Sequence, residues 1–129
     1  EADTGIEPEY KEQVGAFLNS LRKAKPNLSC LVMGPSDKVK KKWGSYITRP
    51  IIHYIIKVQR ELAYQAGCAF FNTWEAMGGE ASIVRWYNHK PRLAIGDFTH
   101  ITPAGGDLLG SIIYLELMKG FKEWLREGR

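Results

Sequence analysis

The feature of this sequence that most constrains its fold is the alternation of amphipathic helical segments with short apolar ones. Apolar residues recur at helical spacing from Pro8 to Lys25 and again after Pro50, and Gly67 is well placed to end the second helix. The segments Leu28–Met33 and Cys68–Phe71 are short apolar runs, which predict strands buried on both faces. The order helix, strand, helix, strand is typical of βαβ crossovers, so we predict an α/β fold with a parallel sheet.

The remaining segments predict loops, short helical pieces and one further long helix. Residues 36–49 are polar and contain a glycine, which favours a long loop. Glycines interrupt the helical pattern between Thr73 and Tyr87, so we expect short helical pieces there. Thr102 before Pro103 is a good cap and first-turn pair for a last helix. Because two parallel strands alone would leave both sheet edges open, we expect the chain to belong to a larger sheet.

Length and composition fit one water-soluble globular domain. The chain has 129 residues, of which 44% are hydrophobic and 25% charged. It contains no apolar run of the roughly 18 residues that a membrane span needs, and residues 1–10 are too polar for a signal peptide. Much of the net charge of +4 comes from the run Lys38–Lys42. We interpret this run as a solvated loop, because nucleic-acid binding needs basic and aromatic groups spread over a face.

The cysteines and histidines do not form a metal-binding pattern. Cys30 and Cys68 lie in separate apolar runs, so we expect buried free thiols, with a disulfide between them as the alternative. We expect His53 to be a partly buried, hydrogen-bonded helical residue and His89 to be a solvated loop residue. A zinc site needs three or four ligands at suitable spacing, and no phosphate-binding glycine loop is present, so we expect neither a metal nor a cofactor.

Asp97 and His100 form the pattern with the clearest chemical meaning. An imidazole is an effective general base at neutral pH when a carboxylate holds one of its nitrogens and the other is free. In a turn just before a helix, the Asp97 carboxylate can fold back to the Nδ1 side of His100 and leave Nε2 free. The spacing alone also fits a turn-capping aspartate beside an unrelated histidine.

Several motifs together resemble those of the SGNH or GDSL hydrolases. Asp97–Gly105 resembles the family's last conserved block, Asp-x-x-His followed by Thr or Ser, two spacers and Gly. Leu31–Asp37 resembles the family strand that ends in Gly-Pro-Pro-Asp. Phe71–Gly79, followed by Ser82 and Trp86, is similar to the Met-Gly-Gly, Ser and Trp pattern of a bacterial subgroup that includes cell-envelope acetylesterases.

The resemblance implies a three-layer α/β/α SGNH (flavodoxin-like) fold, of which residues 1–129 would be the C-terminal part of a single domain. In that family the nucleophilic serine lies in a Gly-Asp-Ser block near the N-terminus. The oxyanion donors are that serine's amide, a glycine of the second block and the asparagine of the third. Glu1-Ala2 resembles the end of the third block, Gly-Thr-Asn-Glu-Ala, so the serine, glycine and asparagine would precede this sequence.

The activity that the resemblance implies is hydrolysis of an ester, such as an acetylated carbohydrate or peptidoglycan ester, through an acyl-enzyme. Asp97 and His100 would act as acid and base. The partner would be an N-terminal segment of the same hydrolase that carries the nucleophilic serine, and this chain alone would be inactive. Candidates for substrate contact are Gly34, Pro35, Ser36, Met77, Gly78 and Gly79.

Ser36 follows a strand and Gly34-Pro35, but it lacks the family's Asp-Ser dipeptide. We therefore place it near the pocket and not as the nucleophile. The family resemblance suggests a periplasmic or extracellular location. The alternative interpretation is a non-catalytic carbohydrate- or partner-binding domain of the same fold, and nucleic-acid binding and a membrane span are not expected.

Overall fold

The computed structural model describes residues 7–128, so the motif at Glu1-Ala2 lies outside the described residues. Five helices and four strands follow one another in this range, as α1 (Glu7–Ala24), β1 (Leu31–Met33), β2 (Val39–Lys42), β3 (Ser45–Thr48), α2 (Pro50–Gln65), β4 (Ala69–Phe71), α3 (Thr73–Ala76), α4 (Ser82–Asn88) and α5 (Pro103–Arg126). None of the described helices has the length and apolar character needed to cross a membrane.

The central element is a parallel sheet of β1 and β4. Leu31 pairs with Ala69 and Met33 with Phe71, and α2 lies between the two strands in the chain and packs against both and against α1. The predicted α/β class with a parallel sheet is therefore confirmed. The predicted helices over α1, α2 and α5, and the short helices α3 and α4, are also present.

The expectation that the two strands are buried on both faces was wrong within the described chain. Leu31 and Met33 of β1 keep 39% and 45% of their surface exposed. The sheet has two strands, and β1 pairs with β4 alone among residues 7–128. An apolar strand is buried only when neighbouring elements cover it, and the described elements leave one edge of β1 open.

Cys30 and Cys68 form a disulfide, so the expectation of free thiols was wrong. Each cysteine immediately precedes one of the two paired strands. The register that pairs Leu31 with Ala69 brings the two preceding residues side by side, with their Cα atoms 4.7 Å apart. This pairing follows from the strand register, which the sequence alone did not specify.

The predicted loop over residues 36–49 is instead mostly a β-hairpin. Strands β2 and β3 pair antiparallel, with Val39 opposite Thr48 and both buried. The two-residue turn consists of Trp43 and Gly44, whose φ angles are +47° and +81°. Positive φ at both positions matches the right-handed twist of the flanking strands, which favours a tight hairpin. The sequence of β2 is one valine followed by three lysines, so it lacks the alternation of apolar and polar residues that predicts a strand.

Among residues 7–128, buried side chains form two hydrophobic clusters. One contains Leu18, Ala63 and the disulfide residue Cys68 and joins α1, α2 and the sheet. The other is centred on Ile83 and Ala94, which are both fully buried, and brings α4 together with the hairpin and the start of α5. The second cluster lies directly beneath the loop that carries Asp97 and His100.

Candidate active site

Asp97 and His100 lie in a closed loop that leads into α5. Ala94 pairs with Ile101 as an antiparallel bridge at the base of this loop. Above that bridge the Ile95 amide donates to the His100 carbonyl oxygen at 3.0 Å, so both ends of the loop are fixed. The loop therefore presents its side chains from a backbone that is anchored on the second core cluster.

The Asp97 carboxylate organises the loop and holds the imidazole. Oδ1 accepts hydrogen bonds from the amides of Thr99 at 2.9 Å and His100 at 3.0 Å. Oδ2 lies 2.6 Å from Nδ1 of His100. Since an ionised carboxylate only accepts, Nδ1 carries the hydrogen and Nε2 presents its lone pair. The predicted placement of the carboxylate on the Nδ1 side is what the structure shows.

The imidazole is open to the outside. The His100 side chain is 74% exposed, and no hydrogen bond from residues 7–128 reaches its Nε2 atom. A free, hydrogen-accepting Nε2 is the atom that a general base needs. Within the described chain, no serine hydroxyl occupies that position.

The same contacts lower the pKa of Asp97 from 3.8 to about 2. The hydrogen bond from the His100 side chain is the largest cause, and the His100 and Thr99 amides add to it. The carboxylate is therefore ionised at any pH at which an imidazole would accept a proton. It is able to stabilise the imidazolium that then forms.

Phe98 fixes the conformation of the loop, a role that sequence reasoning did not assign. Its φ is +52°, a left-handed conformation that bulky residues rarely adopt. Its ring packs against Tyr46 of the hairpin and Tyr87 of α4, with centroids 5.0 and 5.2 Å away. These two contacts hold Phe98 in its unusual conformation, and Asp97 and His100 stay exposed in the same loop.

The beginning of α5 packs tightly against the base of the loop. The Thr102 hydroxyl accepts from the Gly105 amide at 3.1 Å, which is the predicted N-cap. Gly105 is buried, and a Cβ atom there would overlap the backbone carbonyl oxygen of Leu93. Only glycine allows this approach, so Gly105 fixes where α5 begins relative to His100.

Gly34, Pro35 and Ser36 follow β1 directly. Gly34 is buried, its amide donates to the Phe71 carbonyl oxygen at 2.8 Å, and a Cβ would lie 3.0 Å from the Phe70 ring. Pro35 and Ser36 are half-buried. No hydrogen bond in residues 7–128 joins these three residues to Asp97 or His100, so their contact with substrate stays a prediction.

Met77, Gly78 and Gly79 form the turn between α3 and α4. The Met77 side chain is buried in the core and its carbonyl accepts from the Trp86 indole at 2.8 Å. Gly78 and Gly79 have φ angles of +109° and +77°, which explains the glycine pair. The structure therefore shows packing and turn roles for these residues, and a role in substrate contact is untested.

A buried carboxylate that the sequence analysis did not single out joins these two segments. Asp37 is fully buried and accepts from the Thr48 hydroxyl at 2.7 Å and the Ile83 amide at 3.0 Å. The Thr48 hydroxyl in turn accepts from the Ala81 amide at 3.0 Å. Asp37 and Thr48 thereby tie the end of β1, the hairpin and the start of α4 together beside the site. Strand pairing, which sequence spacing does not reveal, creates this network.

The other histidines do not take part in the site. His53 is exposed, not partly buried as expected, and its Nε2 lies 3.7 Å from Glu80 while its ring meets Trp74 edge-on. His89 is exposed, as predicted, with a ring nitrogen 2.8 Å from the Pro91 carbonyl oxygen. Within residues 7–128, no group of three or more possible metal-ligating side chains lies together.

A groove of about 510 Å³ lies away from His100, between the sheet and α5. Strand residues Leu31, Phe70 and Phe71 line one side, and Ile113 and Leu117 of α5 line the other. Asp97 and His100 are not among the lining residues. The groove therefore marks apolar surface that the described elements leave uncovered, and not the position of the imidazole.

The described chain has an α/β fold, with a parallel sheet, a crossover helix and a carboxylate–imidazole pair before the last helix. A solved structure of a peptidoglycan O-acetylesterase has a similar fold, with a TM-score of 0.81 at 18% sequence identity. The match covers 95% of this chain but only 35% of that protein. No family model matches the sequence, and no curated protein matches it.

Proposed function

We propose that this chain supplies the acid and base of a serine ester hydrolase whose nucleophilic serine lies on an N-terminal segment of the same hydrolase. The observation that carries the proposal is the 2.6 Å contact between Asp97 Oδ2 and His100 Nδ1, with Nε2 left free and exposed. This is the arrangement that activates a serine hydroxyl in unrelated folds. The likeness of the fold to that of an acetylesterase supports the same chemistry.

The reaction would proceed through an acyl-enzyme. The serine oxygen bonds to the ester carbonyl carbon while His100 Nε2 takes the hydroxyl proton, and Asp97 stabilises the imidazolium. The bond to the leaving alcohol oxygen then breaks, and that oxygen receives the proton from Nε2. Water attacks the acyl group with His100 again as base, which releases the acid and restores the serine.

The sheet supports a further segment of the same domain. The outer edge of β1 has unpaired backbone groups in the described structure, and Leu31 and Met33 are exposed on one face of the strand. The groove between the sheet and α5 is apolar on both sides. A further strand along β1 would pair with its open edge, and its connecting helix would cover the apolar groove beside α5. The proposed serine would follow that strand.

We further propose that the substrate is an acetylated carbohydrate of the cell envelope, and that the protein acts in the periplasm or outside the cell. The similar structure belongs to an enzyme of peptidoglycan O-acetyl esters. The Cys30–Cys68 disulfide supports an oxidising compartment. Both observations fit the same location.

The test uses the full-length protein that contains this chain, with p-nitrophenyl acetate and O-acetylated peptidoglycan as substrates. We expect His100→Ala to lower kcat/KM by about 10³-fold or more, because removal of the base leaves only binding and oxyanion contributions. Asp97→Asn should lower it by about 10²-fold or more. A fluorophosphonate probe should label one serine N-terminal to this chain.

Matched controls are His89→Ala and Asp107→Asn, which change exposed residues of the same types outside the loop. Both should keep activity within about twofold of the unsubstituted protein. If the isolated 129-residue chain hydrolysed p-nitrophenyl acetate in a His100-dependent way, the external nucleophile would be wrong. If the full-length protein carried no reactive serine and bound glycans without hydrolysis, the non-catalytic alternative would replace the proposal.

A further inference from the structure

The hairpin β2–β3 carries an exposed cationic and aromatic surface beside the Asp97–His100 loop. We propose that this surface binds an anionic glycan and so selects a negatively charged carbohydrate strand for the site. The inference rests on the proposed function in that it names the substrate class of the same site. Its structural basis is the hairpin, whose exposed lysines and tryptophan have no role in the proposed acid and base chemistry.

The tip of the hairpin presents a tryptophan to solvent. Trp43 is 94% exposed and occupies the turn with a positive φ, so the backbone and not packing determines its position. The Lys42 ammonium lies 4.8 Å from the centre of its ring. An exposed indole contributes little to the core, whereas it offers a flat apolar face and a hydrogen-bond donor to a ligand.

The strand register connects this tip to the candidate active site. Lys41 lies opposite Tyr46, on the same face of the hairpin as the buried pair Val39 and Thr48. The Lys41 ammonium is 5.5 Å from the Tyr46 ring centre, and that ring packs on Phe98. A basic and aromatic surface therefore runs from the turn to Phe98, in the loop that carries Asp97 and His100.

The positive charge of the hairpin is not neutralised within the described chain. Ion pairs in residues 7–128 involve Lys11, His53 and His100, and none involves the hairpin lysines, Lys40, Lys41 and Lys42, or the preceding Lys38. Cations with no carboxylate partner favour an anionic ligand, and Lys41 is the one that lies on the Tyr46 face of the hairpin. Ammonium groups would bind the carboxylates of such a ligand, while the Trp43 and Tyr46 rings would pack on the apolar faces of its sugar rings.

Two other anionic partners fit the hairpin less well. A nucleic acid would use several stacking platforms along a basic groove, but Trp43 is the one hairpin aromatic that is fully open. A membrane surface would favour a larger apolar tip, but polar or small residues flank Trp43, namely Lys42, Gly44 and Ser45. An ester-bearing glycan also matches the chemistry of the adjacent His100.

The experiment measures binding by the full-length protein with His100→Ala, so that ester hydrolysis does not contribute. The probe is polygalacturonate, a polymer of uronic acids, compared with neutral dextran and with phosphatidylglycerol vesicles. We expect Trp43→Ala and Lys41→Met each to raise the Kd for polygalacturonate by about tenfold, and added salt to weaken binding. Dextran should bind at least about tenfold more weakly than polygalacturonate.

Control variants are Tyr64→Ala and Lys57→Met, which remove an exposed aromatic ring and an exposed lysine of α2. They should leave the Kd within about twofold. Because Trp43 and Lys41 are exposed, their variants should unfold at the same temperature as the parent, and a thermal melt checks this. Equal effects of control and hairpin variants would overturn the proposal.

Two other results would also overturn it, namely equal binding of dextran and binding of vesicles in place of polygalacturonate. The proposed function fails separately, when the protein with His100 intact hydrolyses no ester. Loss of hydrolysis with retained, Trp43-dependent binding of polygalacturonate would leave the hairpin as a glycan-binding surface of a non-catalytic domain. Retained hydrolysis with no effect of the hairpin variants would refute the glycan surface alone.

Discussion

At Asp97 one carboxylate holds both the backbone of a loop and the tautomer of a histidine. Because the hydrogen bonds lower its pKa to about 2, ionisation of Asp97 stabilises the folded loop. The stabilisation is fully present above the unfolded value near 3.8 and is lost as the pH falls through about 2. The carboxylate–imidazole pair is therefore expected to stay intact in mild acid.

Carbon-detected NMR of the full-length protein tests this at the residue scale. The Asp97 carboxyl carbon should titrate near pH 2, and in His100→Ala its midpoint should rise toward 3.8 because the largest cause of the shift is removed. The matched control is His89→Ala, in which the Asp97 midpoint should stay near 2 because the contact with His100 is retained. An unchanged Asp97 midpoint in His100→Ala would show that the side-chain contact does not form in solution.

At the scale of elements, the start of α5 determines where His100 stands. Gly105→Ala places a methyl group on the Leu93 carbonyl oxygen, so the helix has to move away from the loop. We expect a loss of about 3 kcal/mol in the free energy of unfolding, since the neighbour is backbone and cannot rotate aside. The proposed esterase activity should fall with it, because the loop is fixed through the same contact.

The adjacent glycine provides a matched control for the element. A Cβ on Gly106 would meet nothing within 4 Å, so Gly106→Ala should be neutral or raise stability by up to about 1 kcal/mol. Urea unfolding of both variants and the parent measures the difference. Equal stability of the two alanine variants would mean that α5 begins elsewhere in solution.

At the scale of the whole molecule, the disulfide joins the two strands of the parallel sheet, β1 and β4, at the residues that precede them. Cys30 and Cys68 are 38 residues apart, and a cross-link over a loop of that length contributes about 4 kcal/mol in the chain-entropy account. Replacing both cysteines by serine should lower the free energy of unfolding by about this amount. The parent in reducing agent should behave like the variant, whereas the variant itself should not respond to reducing agent.

The sequence predicted those parts of the molecule that depend on local pattern. Helical spacing with Pro50, Gly67 and the Thr102-Pro103 pair located α2 and α5, and the Asp97 spacing predicted the contact with His100. It did not predict features that need knowledge of which segments meet. The disulfide depends on the strand register, and the positive φ of Phe98 depends on rings from two other elements. The hairpin was missed because the lysines of β2 do not show the alternation of polar and apolar residues that indicates a strand.

The exposed apolar side chains of helix α5 have a practical consequence for how the protein is prepared. Beyond its fixed first turn the helix leaves large apolar side chains half or more exposed, among them Tyr114, Leu117 and Phe121. Such surface drives copies of a chain to associate in water. Production of this chain by itself should therefore give soluble oligomers or aggregates, and co-expression with the proposed N-terminal segment should give a monodisperse sample.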